Sequence, residues 1–269
     1  MKNPLERFKE ALKTSIKKEA IIFGILYCLL IAAITLILGF GIAVVAVISL
    51  LTLAVVNNYI INAIAVLIGL LLISIILLLM QAMFEITSLT GFRQILNVKT
   101  TNFEHIANTI KKRIIPFFAY LVITLLFYSI IITIPTVPLY FLFQTIGAII
   151  GIILGAIIVL AFIPIIIMIP PIIALRDDTI IESIRNGIRL GLHNYTYNLV
   201  AIAIMIIAGL VISIPSMIAS FLSIIPGIGV FLSIIGSILT IPFTIYATIL
   251  LTLYTLKIYE ENIERTGLR

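Results

Sequence analysis

The sequence predicts an all-α polytopic membrane protein: six transmembrane helices in three pseudo-repeats, each an interfacial amphipathic helix followed by two spans. Three observations predict it. Of 269 residues, 62% are hydrophobic and 10% charged, with a mean hydropathy of +1.32. Soluble domains carry about a quarter charged residues, and disorder needs low hydrophobicity and high charge. The apolar residues gather in stretches that can cross a bilayer, which takes about 20 helical residues. The charges, finally, return to the same side each time the chain turns back.

The apolar stretches are Ala20–Val56, Ile61–Phe84, Ile114–Pro135, Gln144–Leu175, Tyr195–Phe221 and Ile228–Leu256. The first is too long for one straight span, since as a helix it would run roughly 55 Å. A break near Gly39 and Gly41 is expected, with Gly41–Asn58 an extension or re-entrant piece at the outer face. Pro135 and Pro215 are expected to end their spans, and Pro164 and Pro242 to interrupt theirs.

Charge placement sets the orientation. The segments at residues 1–19, 85–113 and 176–194 and the C-terminal tail hold six, five, three and three Lys or Arg residues, which is all 17. The connections near Asn57–Asn62, Pro135–Phe143 and Leu222–Gly227 hold no charge. The positive-inside rule then makes the basic side cytoplasmic, with both termini inside a plasma membrane. The net charge of +6 reads as affinity for an anionic leaflet rather than for nucleic acid.

Three polar segments align without gaps. Apolar residues fall at 5, 8, 12, 16, at 103, 106, 110, 114, and at 181, 184, 188, 192, each set on one helical face. A basic residue follows the third apolar position each time: Lys13, Lys111 and Arg189. The pseudo-repeats are 1–98, 99–176 and 177–269, in a single membrane domain. Glu6, Glu104 and Glu182 each lie three residues after Asn3, Thr101 or Thr179. That is the capping-box spacing, so helix capping is preferred over catalysis for these acids. Lys9, Lys13, Lys17, Lys111, Lys112, Arg185 and Arg189 are the candidate contacts to lipid headgroups.

Little else points to chemistry. The sequence has no zinc motif, P-loop, dinucleotide turn or nucleophile elbow, and neither a metal nor a cofactor is expected. Cys28 is the one cysteine and reads as a small buried hydrophobe. His105 and His193 read as solvated interface residues. Asp177 and Asp178 read as acids at a helix start. Glu85, near Gln81, reads as half of an ion pair, with Arg93 or a basic residue of another unit as its partner. Tyr195 and Tyr197 read as interface anchors. Gly147, Gly151 and Gly155 are spaced for close helix packing, within the chain or between protomers.

The run Pro171-Ile-Ile-Ala-Leu-Arg-Asp-Asp-Thr-Ile-Ile-Glu-Ser-Ile-Arg-Asn-Gly, with Asn194 beyond it, resembles a known pattern. So does Ile241-Pro-Phe-Thr leading to Leu253-Tyr254. Both are similar to the membrane domain attached to some glycerophosphodiester phosphodiesterases, and to related stand-alone six-span prokaryotic proteins. In that family a separate soluble barrel carries the hydrolase. The resemblance therefore implies a membrane or lipid context and no activity for this chain.

The function expected is that of a non-enzymatic membrane protein that engages lipid and organises the cytoplasmic leaflet or scaffolds membrane partners. A homo-oligomer is one such partner. The alternative is a transporter or flippase for an apolar or amphiphilic substrate, using a cavity between Pro164, Pro215 and Pro242.

Overall fold

The computed structural model describes residues 2–35, 59–98, 101–222 and 229–267, and no strand occurs among the described residues. The helices are α1 (Pro4–Ser15), α2 (Lys18–Thr35), α3 (Tyr59–Val98), α4 (Phe103–Ile166), α5 (Ile169–Leu175), α6 (Ile180–His193), α7 (Tyr195–Leu222) and α8 (Gly229–Thr266). Five helical segments are long and apolar enough to cross a membrane: Lys18–Thr35, Leu67–Asn97, Phe103–Leu175, Tyr195–Pro215 and Thr240–Thr266. The expected outer piece at residues 41–58 lies outside the described residues.

At 64 residues, α4 would be about 96 Å long if straight, and it is not straight. Gln144 leaves helical geometry with φ 52° and ψ −132°, and the two arms fold back on each other there. Gly147, Gly151 and Gly155 form the seam. A Cβ on Gly147 would strike the Leu139 carbonyl, one on Gly151 would strike Thr136 Cα, and one on Gly155 would come within 2.7 Å of Ile132 Cα. The contacts step backwards along the first arm, as an antiparallel hairpin requires. The small residues therefore pack within the chain.

Several expectations about breaks need correction. Pro135 and Pro215 do not end helices; α4 runs past Pro135, and past Pro138, to Gln144, and α7 runs past Pro215 to Leu222. A helix can carry a proline at the cost of one hydrogen bond, because neighbouring helices brace it. The stretch Gln144–Leu175 is not continuous. It breaks at Ile167 and Met168, because Pro170 and Pro171 follow and supply no N–H to the preceding turn. The second amphipathic segment is not a separate helix. Lys111–Pro116 contains no Gly or Asn to stop α4, so residues 103–114 run directly into the span. In the third segment Asn194 ends α6.

The core sits at the charged end of the molecule. Ile86, Phe92, Phe117, Met168, Ile172, Leu190, Leu253 and Tyr254 are fully buried there. Toward the other end the helices expose Leu67–Leu72, Phe141–Phe143 and Ile206–Val211. In a bilayer such faces meet acyl chains that are as apolar as leucine. Packing and polar contacts must then hold the helices together.

α1 packs on α8, the start of α4 on α3, and α6 on α5 and the end of α4. The face that docks is not the one the apolar pattern marks. α1 buries Arg7, Ala11, Thr14 and Ser15, and α6 buries Ser183, Gly187, Leu190 and Gly191. These are the same four positions, 176 residues apart in every case. The predicted apolar face is covered only in part: Ile16 is 64% and Ile181 76% exposed, while Phe8 and Ile184 pack against the core. Small residues allow the close approach: a Cβ on Gly187 would strike Ile169, and one on Gly191 would strike the Ile165 carbonyl.

Replacing Gly151 by Leu is expected to open the α4 hairpin. Overpacking costs about 1–3 kcal/mol even where neighbours are side chains, and here the obstacle is backbone. Thermal unfolding in detergent reports it: the midpoint should fall by several degrees with Gly151→Leu and hold with Ile150→Leu, a change at an exposed neighbour.

Candidate functional site

The charged end carries the candidate site, built from α1, the start of α4, α6 and the end of α8. Lys9, Lys13, Lys17, Lys111, Arg185 and Arg189 are all exposed on these elements. Lys112 is exposed too, but it pairs with Asp177 at 2.6 Å. His105 and His193 are exposed, His193 in the last turn of α6.

The helix starts are capped, with one change of register. Asn3 accepts from the Glu6 amide at 2.8 Å, and Glu6 accepts from the Asn3 amide at 3.1 Å. Thr179 and Glu182 form the same reciprocal pair. At the second segment the cap is Asn102, not Thr101: the Asn102 side chain accepts from the His105 amide at 3.1 Å. Glu104 falls at the second helical position, one short of the reach-back site, so Thr101 and Glu104 form no capping box. Of two adjacent cap formers the asparagine takes the role, in keeping with its stronger preference.

A buried ionic cluster joins the two ends of the chain. Arg7 donates to Glu261 Oε2 from Nε at 3.0 Å and from Nη2 at 2.6 Å. Both side chains are almost wholly buried. Arg7 also reaches Glu10 and Glu264, each at 3.2 Å. Glu261 further accepts from Arg265 and from the Lys2 amide. Arg265 in turn donates to the Lys2 carbonyl and lies 4.0 Å over the Tyr197 ring, a stacked cation–π geometry. Tyr254 donates its hydroxyl to the Pro4 carbonyl at 3.1 Å.

Below this cluster, two buried asparagines tie α7 to its neighbours. Asn262 donates to Asn198 Oδ1 at 2.9 Å, and Asn198 donates to the Pro164 carbonyl at 3.0 Å. That carbonyl lies in the last turn of α4, where the helix has no amide to offer it.

A second ionic group holds the link between α5 and α6. Arg113, buried, pairs with Asp177 and donates to the Asp178 carbonyl. Asp178 accepts from Asn186 and pairs with Arg176. Arg93 donates to the Leu175 carbonyl at 3.2 Å. Arg93 is thus not bonded to Glu85, as the sequence suggested. Glu85 is in no ion pair among the described residues, and it lines a 250 Å³ recess with Pro170, Pro171 and Thr255.

Two larger spaces open beside these clusters. One is a polar cavity of 460 Å³ between the end of α3 and the start of α4. From α3 it is lined by Thr90, Arg93, Gln94 and Asn97, and from α4 by His105, Thr109, Lys112 and Arg113. The other is an apolar groove, also of 460 Å³, where Leu5, Phe8 and Leu12 of α1 face Ile204 and Val211 of α7 and Leu250 of α8. Among the described residues no group of His, Cys, Asp and Glu could hold a metal ion.

No family model, curated protein or solved structure matches the chain. The reading therefore rests on the residues themselves.

Sequence reasoning missed Arg7, Glu261, Asn198 and Asn262. A signal was present for one of them: Asn198 stands at the start of an apolar helix, where an unpaired amide would be costly.

Arg7→Gln and Glu261→Gln should each destabilise the protein by about 3–5 kcal/mol, because each leaves a buried charge without its partner. The double variant should lose less than the sum of the two, as interacting groups do. Thermal unfolding of the three variants in detergent measures it.

A pH dependence follows from three carboxylates held below their usual range. Burial opposes ionisation of Glu10, but Lys2 and Arg7 outweigh it. Lys112 foremost, with Arg113, lowers Asp177, and the Thr179 amide lowers Glu182. Each folded value lies below the unfolded one. The stabilisation is complete above about pH 5 and is lost as the pH falls through the folded values, below about pH 4. The unfolding temperature should be flat between about pH 5 and 7 on account of these groups and drop below about pH 4.

Proposed function

We propose that this chain is a non-enzymatic, six-span integral membrane protein whose charged layer lies at the cytoplasmic leaflet. There it engages anionic headgroups and organises the leaflet or scaffolds membrane partners. Six crossings follow if the hairpin at Gln144 counts as two, and they leave both termini on the basic side of a plasma membrane, in keeping with the positive-inside rule. The three units then form a closed ring in which each amphipathic segment rests on the last span of the unit before it.

The observation that carries the reading is the division of α1 and α6 into three faces. One face docks on the protein, one exposes Leu5, Leu12 and Ile16 or Ile181 and Leu192, and one exposes Lys9 and Lys13 or Arg185 and Arg189. A helix in water would not leave its apolar face uncovered. A helix at a membrane boundary buries that face among acyl chains and sets its cations against phosphates. The groove between α1 and α7 is apolar and adjoins this basic face, which suits a single acyl chain. The alternative, transport of an apolar or amphiphilic substrate, would draw on a cavity among Pro164, Pro215 and Pro242.

The test is reconstitution in vesicles of mixed neutral and anionic lipid, comparing the parent with Lys13→Glu, Lys111→Glu and Arg189→Glu combined. A basic residue near an anionic surface contributes about 1 kcal/mol, roughly a fivefold preference. Enrichment of anionic lipid around the protein should fall several-fold in the triple variant. Equal enrichment and unchanged lipid order would defeat the reading.

A further inference from the structure

We propose that the polar cavity between α3 and α4 is a binding site for a phosphate-bearing anion, either a lipid headgroup or free phosphate. Where the anion is a headgroup, the inference rests on the leaflet reading; where it is free phosphate, it stands apart from it.

The argument begins from the repeat positions. Arg7, Ala11, Thr14 and Ser15 of α1 are packed shut against α8, and Ser183, Gly187, Leu190 and Gly191 of α6 are packed shut against α4 and α5. The same four positions in the second segment are His105, Thr109, Lys112 and Arg113. Of these only Arg113 is buried, while His105 and Lys112 are exposed and Thr109 is half-buried. All four line the 460 Å³ cavity. The same helix face is thus packed against protein in the first and third segments, and in the second it borders a cavity and carries two cations, Lys112 and Arg113. The volume lies within the range of about 300–1,000 Å³ found for small-molecule sites.

Charge sets the ligand class. Arg93, Lys112 and Arg113 face the cavity against a single carboxylate, Asp177, which Lys112 and Arg113 already share. Arg93 is half-buried and in no ion pair among the described residues. Its one hydrogen bond to Leu175 engages one of five N–H donors. A desolvated guanidinium without an acid partner is costly, and its planar fork matches the oxygens of a phosphate. Neutral donors complete the wall: Gln94, Asn97 and Asn108. Thr90, also on the wall, holds a buried hydroxyl with no hydrogen-bond partner. The structure assigns Arg93 as the principal contact, with Lys112 and the neutral amides around it.

The full chain in an uncharged detergent tests this, with inorganic phosphate in one arm and a water-soluble, short-chain phosphatidic acid in the other. Thermal unfolding is followed as each is titrated. At least one should raise the unfolding temperature in the parent chain. Apparent affinity should fall about tenfold in Arg93→Gln and less in Arg93→Lys, and should hold in Lys18→Gln, a surface change elsewhere. Should Arg93→Gln fail to fold, Lys112→Gln, whose side chain is exposed, carries the comparison.

Binding of the lipid alone assigns a headgroup. Binding of inorganic phosphate alone keeps the site and removes it from the leaflet reading. No effect of either ligand, or equal affinity in the parent, Arg93→Gln and Lys112→Gln, overturns the proposal. That failure is separate from failure of the leaflet reading, which is tested on surface cations outside the cavity and in vesicles.

Discussion

The buried pair of Arg7 and Glu261 holds the two ends of the chain together, and the charged layer depends on it. An exposed ion pair contributes about 0–1 kcal/mol, and Lys112 with Asp177 is such a pair. Arg7 and Glu261 are different because both side chains are almost wholly buried. Four further groups, Glu10, Glu264, Arg265 and the Lys2 amide, gather on the same pair. Their combined effect is to seat α1 on α8. With α1 seated, its outward faces acquire their orientation, and the groove toward α7 acquires a wall.

The same logic of close approach runs through the rest of the fold. In a bilayer, apolar contact by itself does not distinguish protein from lipid. Specific association needs either small residues that bring backbones together or polar groups that have no other partner. The α4 hairpin uses the first device at Gly147, Gly151 and Gly155, and α6 uses it at Gly187 and Gly191. α7 uses the second, through Asn198 and its bonds to Asn262 and to the Pro164 carbonyl. The asparagine bonds and the close approach at Gly187 and Gly191 lie at the charged end with the buried core, whereas Gly147, Gly151 and Gly155 secure the hairpin near Gln144. The far ends of the helices keep their apolar residues outward.

Legibility followed the same division. The helical class, the positions of the long apolar segments and the location of the charges were readable, because hydropathy and charge act residue by residue. The caps at Asn3 and Thr179 were readable because they depend on spacing of three along one chain. The cap at Asn102 was misplaced by one, since two adjacent cap formers look equivalent until the helix start is known. The breaks were the least legible. Pro135 and Pro215 looked like stops and are not, while Gln144, an unremarkable residue, turns the chain. Whether a proline ends a helix depends on what braces the helix around it.

By itself the sequence determined that the chain is an apolar, helical protein with a basic layer, and that three segments share one pattern. Those properties are sums over local composition and periodicity. Only the tertiary structure decided which face of each amphipathic segment meets protein. The apolar stripe, which would be the buried face in water, is left partly uncovered in α1 and α6, and the face at Arg7, Ala11, Thr14 and Ser15, or Ser183, Gly187, Leu190 and Gly191, docks most deeply. The choice rests on backbone approach and on single long-range partners such as Glu261 for Arg7. The same choice, made differently in the second segment, leaves His105, Thr109, Lys112 and Arg113 lining an open cavity. No count of residues along the chain specifies a partner that lies more than two hundred positions away.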